Sequence, residues 1–178
     1  GDNVNNSVAA NVTVNFIEFA NDVKINVKSG AALIVNQDTF ISGSKVSLNV
    51  QGFFRTSGSM KITGNNTMVN VNTPGVVIVD QDFEMTGQGG MTVTGNSEVE
   101  VGGDIKLVGN QNLTVTDPAT FKVCGTYVND PSIPPGLENE VQFGNCRVLP
   151  VYITDFQITK DSELRIIGLK FSTMKEDG

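Results

Sequence analysis

The chain contains no histidine and no tryptophan among its 178 residues. Without an imidazole there is no histidine general acid or base and no histidine-ligated metal. Cations are scarce: Lys and Arg number 12 against 19 Asp and Glu, a net charge of −7. No basic patch stands out, which argues against nucleic acid or an anionic membrane as partner. Hydrophobic residues make up 39% of the chain, yet no apolar run approaches the roughly 18 residues needed to cross a bilayer, so no membrane insertion is expected. No amphipathic helical pattern is found either. No signal peptide is present; Gly1 reads as a residue left by cloning, and the loss of a leader is compatible with that.

What is present is glycine, 19 residues of it, together with abundant Asn, Thr and Val. Val and Thr favour strands, whereas Gly and Asn favour tight corners. The length suits one domain, or one domain plus a fragment. The informative feature is a repeat. Val79-Asp-Gln-Asp-Phe-Glu-Met-Thr-Gly87 matches Val101-Gly-Gly-Asp-Ile-Lys-Leu-Val-Gly109 at an offset of 22. The frame extends in both directions, slipping by one residue between Gly43 and Val46 and recovering between Gly64 and Val69.

Five apolar columns follow: Ile25, Val46, Val69, Met91 and Leu113; Val27, Leu48, Val71, Val93 and Val115; Leu33, Phe54, Val77, Val99 and Phe121; Val35, Thr56, Val79, Val101 and Val123; and Ile41, Ile62, Met85 and Leu107. Within each coil the apolar positions alternate, so each short segment is a strand with one inward face. Three segments per coil imply a three-sided tube. A single coil cannot bury its own apolar face; coils stacked about 4.8 Å apart make a continuous core. The expected fold is therefore all-β: a right-handed parallel β-helix, or β-solenoid, over 1–146 with coils of ~22 residues. Its register places Glu84 beside Lys106 and Glu100 beside Lys122, pairs of opposite sign.

After Tyr127 the pattern breaks at Asp130-Pro-Ser-Ile-Pro-Pro-Gly136, a segment that cannot hold ladder hydrogen bonds. Cys124 and Cys146 stand 22 residues apart, one coil, and a disulfide between them is expected. Such a bridge belongs to an oxidising compartment and so to a secreted or cell-surface protein. Residues 147–178 read as a C-terminal capping hairpin of Leu149–Phe156 and Leu164–Phe171, turning at Asp161-Ser162. The chain then stops without a closing element, as a truncated one would.

The Leu149-Pro150-Val151 to Phe156 stretch resembles the Leu-Pro-Val…Phe segment preceding the C-terminal region of Bacteroidetes proteins exported by the type IX secretion system. The repeats, with Val101-Gly-Gly-Asp-Ile105 and Val123-Cys-Gly-Thr-Tyr127, resemble the β-helical stalks of that phylum's adhesin-like surface proteins. The resemblance covers about 13–127 for the repeats and 149–171 for the Leu-Pro-Val part. It implies a surface or secreted structural module.

Two outward features are candidate sites. One is a ribbon of small polar residues: Asn26, Ser47, Asn70, Thr92 and Thr114, flanked by Lys28, Asn49, Asn72, Thr94 and Thr116. It could dock a glycan or an ordered water layer; the plainer account is a solvated strand face with stacked amides. The other is an acidic column of Asp38, Asp82 and Asp104. Close carboxylates repel unless a cation or backbone donors compensate, and calcium, with its oxygen ligands, is the metal to test. The plainer account is aspartates capping turn N–H groups. Asp pairs serve as acid and base in β-helical glycosidases, but no cleft-building loops accompany these, and no other cofactor is implied. The expected function is a non-catalytic structural or adhesive module, not an enzyme. Its partners would be surface or environmental glycans, or another surface protein. A carbohydrate-binding module is the alternative, and a polysaccharide lyase or hydrolase the third reading.

Overall fold

A computed structural model describes residues 4–19, 21–109, 112–128 and 141–144. Among these there is no helix, and so none long and apolar enough to cross a membrane. Strands follow one another in threes. The first turn is β1 (Val4–Val8), β2 (Val12–Val14) and β3 (Ile17–Phe19); the second is β4 (Val23–Val27), β5 (Ala32–Val35) and β6 (Thr39–Ile41). The third is β7 (Ser47–Val50), β8 (Phe53–Thr56) and β9 (Met60–Ile62). Then come β10 (Asn65–Asn72), β11 (Val76–Val79), β12 (Phe83–Thr94), β13 (Glu98–Val101), β14 (Ile105–Gly109), β15 (Asn112–Thr116), β16 (Thr120–Val123) and β17 (Gln142–Phe143).

Every pairing is parallel, and every strand pairs with its counterpart one turn away. The result is a β-solenoid of about six turns with three faces. One face stacks β1, β4, β7, β10, the second half of β12, and β15. The next is a seven-stranded sheet in the order β17-β16-β13-β11-β8-β5-β2. The third stacks β3, β6, β9, the first half of β12, and β14. β12 runs unbroken around the corner between the third and first faces, which joins their ladders.

The tube is filled by the inward side chains of all three faces. Phe54, Phe83 and Phe121 are its largest fully buried residues, and Phe83 meets Phe121 edge-on at 6.0 Å. Two of the faces carry the columns expected from the sequence. Leu33, Phe54, Val77, Val99 and Phe121 pair in line, as do Val35, Thr56, Val79, Val101 and Val123. Ile41, Ile62, Met85 and Leu107 do so on the third face.

The first face differs at one strand. Leu48, not Val46, stands between Ile25 and Val69, and Val50, not Leu48, stands between Val27 and Val71. The physical reason is that side chains alternate with period two. A shift of two residues therefore leaves every inward residue inward, and hydrophobicity cannot detect it. Val46 is still buried, at the corner beside Thr67. The displacement is absorbed at the following corner. Four residues connect Val27 to Ala32, but only Gln51 and Gly52 connect Val50 to Phe53. The short corner presses on the turn beneath: a Cβ on Gly52 would lie 2.3 Å from the carbonyl oxygens of both Lys28 and Ala31.

The far end also departs from the expected frame. Tyr127 is still in place, bridged to Ile105. β17 then pairs Val123 with Phe143, and the Gly144 N–H donates to the Val123 carbonyl at 3.0 Å. The turn there is therefore two residues shorter than the repeat, which brings Gly144 into line with Cys124. Cys146, the loop at 130–136 and the hairpin expected over 149–171 lie outside the described residues. All the described residues belong to one compact unit, Gly1–Cys146.

Candidate functional site

Outward residues alternate with buried ones along β4, β7, β10, β12 and β15, and the parallel register lines them up. One column runs Asn26, Asn49, Asn70, Thr92, Thr114. Beside it run Asn72, Thr94 and Thr116. Ser47, expected in the first column, instead stands opposite Lys24 and Met68, and Asn49 takes its place. This is the same two-residue shift that exchanged Leu48 for Val46.

The substitution of Asn49 for Ser47 changes the chemistry of the ribbon. The Asn49 amide donates to Asn26 Oδ1 at 2.9 Å, and the Asn70 amide donates to Asn49 Oδ1 at 2.9 Å. Three amides on three turns thus form a ladder. Stacked amides of this kind satisfy one another along the axis, as they do in cross-β stacks. Past Asn70 the column continues as hydroxyls. Thr94 Oγ1 donates to Asn72 Oδ1 at 3.1 Å and Thr114 Oγ1 donates to Asn112 Oδ1 at 3.2 Å. The ribbon therefore has two halves, one locked by amides and one carrying Thr92, Thr94, Thr114 and Thr116.

The aspartate column has a definite structural role. Asp38 Oδ1 accepts the Ser59 N–H at 2.8 Å, and Asp82 Oδ1 accepts the Asp104 N–H at 2.9 Å. Asp104 Oδ1 accepts both the N–H of Thr126 at 2.7 Å and its hydroxyl at 3.1 Å. Each carboxylate caps the turn above it. A glycine precedes each capped residue: a Cβ at Gly58, Gly103 or Gly125 would lie 2.1, 2.3 and 2.3 Å from the Asp oxygen beneath. Asp82 and Asp104 are thus compensated by backbone donors, the account of two near carboxylates that needs no cation. Among the described residues no three acidic or cysteine side chains gather as a metal site.

Charge pairs decorate the other faces. Glu84 receives Lys61 at 2.9 Å from one side and Lys106 at 3.3 Å from the other. The hydrogen bond from Lys61, and that from Lys106 after it, hold the Glu84 carboxyl below its ordinary value of 4.5 against the opposing effect of burial. Lys122 lies directly beside Glu100 in register but bonds Glu98 at 2.5 Å. Position predicts the neighbour, and a long Lys side chain also reaches the diagonal one. Arg55 grips Asp80 through two nitrogens, at 2.8 Å for the closest approach.

No protein-family model, curated protein or solved structure matches the chain.

Proposed function

We propose that the chain is a non-catalytic adhesive module of a secreted or cell-surface protein, in which the solenoid presents its polar ribbon to a partner. The observation that carries this reading is the unbroken column Asn26, Asn49, Asn70, Thr92 and Thr114 on one face. Amides and hydroxyls on successive strands about 4.8 Å apart can each donate to and accept from the hydroxyls of a ligand, so a glycan is the favoured partner class. The carbohydrate-binding reading is then the same ribbon seen from the ligand's side. The likeness of the repeats to Bacteroidetes stalk proteins belongs to this proposal, and so does a Cys124–Cys146 bridge.

The test uses the hydroxyl half, because Asn70 is needed by its neighbours. Replacing Thr92 and Thr114 together with Glu leaves both strands paired, since the outward side chains make no ladder bond. The expected outcome is an unchanged far-ultraviolet spectrum with loss of attachment to glycan arrays and to cells. Retained attachment by the folded double variant rejects the ribbon.

A further inference from the structure

In a solenoid each turn rests on its neighbour, so turns of equal length set like corners one above another and a shorter turn breaks that stack. The Gln51–Gly52 corner is such a turn, two residues shorter than the Lys28–Ala31 corner below it. The structure has an open notch of about 310 Å³ at that place. Its walls include Ala32, Phe53 and Val76, which stand opposite one another in register at the head of three successive strands. Pro74 also lines it, and Asn11 and Gln51 bring amides.

We infer that this notch is a binding subsite for one neutral pyranose ring. The inference rests on the adhesive reading above and adds a second point of contact, on a corner adjoining the ribbon's face. Four properties of the notch converge on that ligand class. The volume is at the small end of ligand sites, which suits a single ring and not a chain. No lining side chain carries a charge, and the net charge of −7 disfavours an anion. Phe53 is half-buried and supplies an aromatic surface for the C–H face of a sugar. The notch is open, and its exposed Gln51 and Asn11 amides can meet hydroxyls as donor and acceptor alike. An all-apolar ligand would call for a closed cavity in place of an amide-bearing one. The floor is also preorganised. Gln51 and Gly52 both donate to the Val27 carbonyl, at 2.8 and 3.1 Å, and Phe53 N–H donates to Ala31 at 2.9 Å. Binding then orders little backbone.

The experiment titrates the isotopically labelled full chain with methyl glucosides, galactosides and mannosides, following backbone amides by nuclear magnetic resonance. The expected result is that at least one glycoside shifts Gln51, Phe53 and Val76, and that Phe53→Ala weakens its binding by about tenfold. Insertion of Asn-Gly between Gln51 and Gly52, restoring the corner to its neighbours' length, should abolish it. Gln51→Ala is the second variant, lying on the surface where folding is not at issue. Shifts confined to Thr92 and Thr114, or equal affinity in all variants, overturn the notch and leave the adhesive reading standing. No response to any glycoside, with cell attachment intact, also overturns the notch but leaves an adhesin for another ligand. No response and no attachment overturn both.

Discussion

At the residue scale the aspartate–glycine pairs are the most exacting feature. Asp82 caps the Asp104 N–H only because Gly103 has no side chain, its hypothetical Cβ falling 2.3 Å from the carboxylate oxygen. Gly103→Ala must therefore displace Asp82 and orphan a backbone donor, and is expected to cost about 1–3 kcal/mol by urea denaturation. Asp82→Asn keeps an acceptor oxygen in place and should cost less. A larger loss from Asp82→Asn than from Gly103→Ala would contradict the cap. The pairing was half legible in sequence. Val101-Gly-Gly-Asp-Ile105 and Val123-Cys-Gly-Thr-Tyr127 displayed the glycine and its successor, but whether the carboxylate looked to a cation or to the next turn depended on side-chain direction. Left-handed backbone at Asp22, Lys45 and Asn66, with φ of 58, 57 and 55°, was not legible at all. These residues stack at one corner, where most residue types avoid φ > 0, and only Asn and Asp among them hint at it.

At the element scale, what could be read depended on what period two constrains. The columns on two faces were recoverable because their strands follow one another at constant spacing. β7 was not, since a shift by two keeps Val46, Leu48 and Val50 inward whichever is matched to Val69. The ribbon inherits that ambiguity: the sequence suggests stacked amides but sets Asn49 beside the column, and only the register moves it into the place of Ser47, between Asn26 and Asn70. The notch was hidden for the same reason: a missing pair of residues shows only after the register is known. The ion ladder crossing β9, β12 and β14 offers a pH test. Glu84 has a lowered pKa in the folded chain, chiefly through Lys61. Its ion pairs therefore contribute stability that is full above the unfolded value and is lost as pH falls through the folded one. Glu84→Gln should lower stability near neutrality by about 0.2–1 kcal/mol, the scale of partly exposed pairs. It should also flatten the dependence of the melting temperature on pH below the ordinary value of 4.5. An unaltered pH profile in the variant would show that neither lysine holds the carboxylate.

At the scale of the whole molecule, stability is a sum of turn-on-turn contacts, so the terminal turns decide where opening starts. At one end Val12 and Phe16 are exposed, and at the other Val128 and Phe143 are. A Cys124–Cys146 bridge would tie down the second of these ends, just where Pro131, Pro134 and Pro135 supply no backbone donors. Alkylation of the native, unreduced protein followed by intact-mass measurement should add no label. Reduction should then admit two labels and lower the melting temperature, with an entropic loss of about 3 kcal/mol for a loop of this size. Labelling of both thiols before reduction would remove the bridge and, with it, the physical argument for an oxidising compartment.

The short corner after β7 has a consequence for how such a chain can change. The two residues missing there do not disturb β8, which pairs Phe54 with Leu33 and Val77 as if nothing had been lost. Each level of the tube is thus aligned by the level next to it and not by a count kept from the start of the chain. Gene duplication or deletion of a whole turn becomes a permissible step, lengthening or shortening the stack by one strand spacing while every face keeps its orientation. Reach can be adjusted rung by rung, and the corners are free to gain or lose residues, and so to acquire or close recesses, without any change to the tube that carries them.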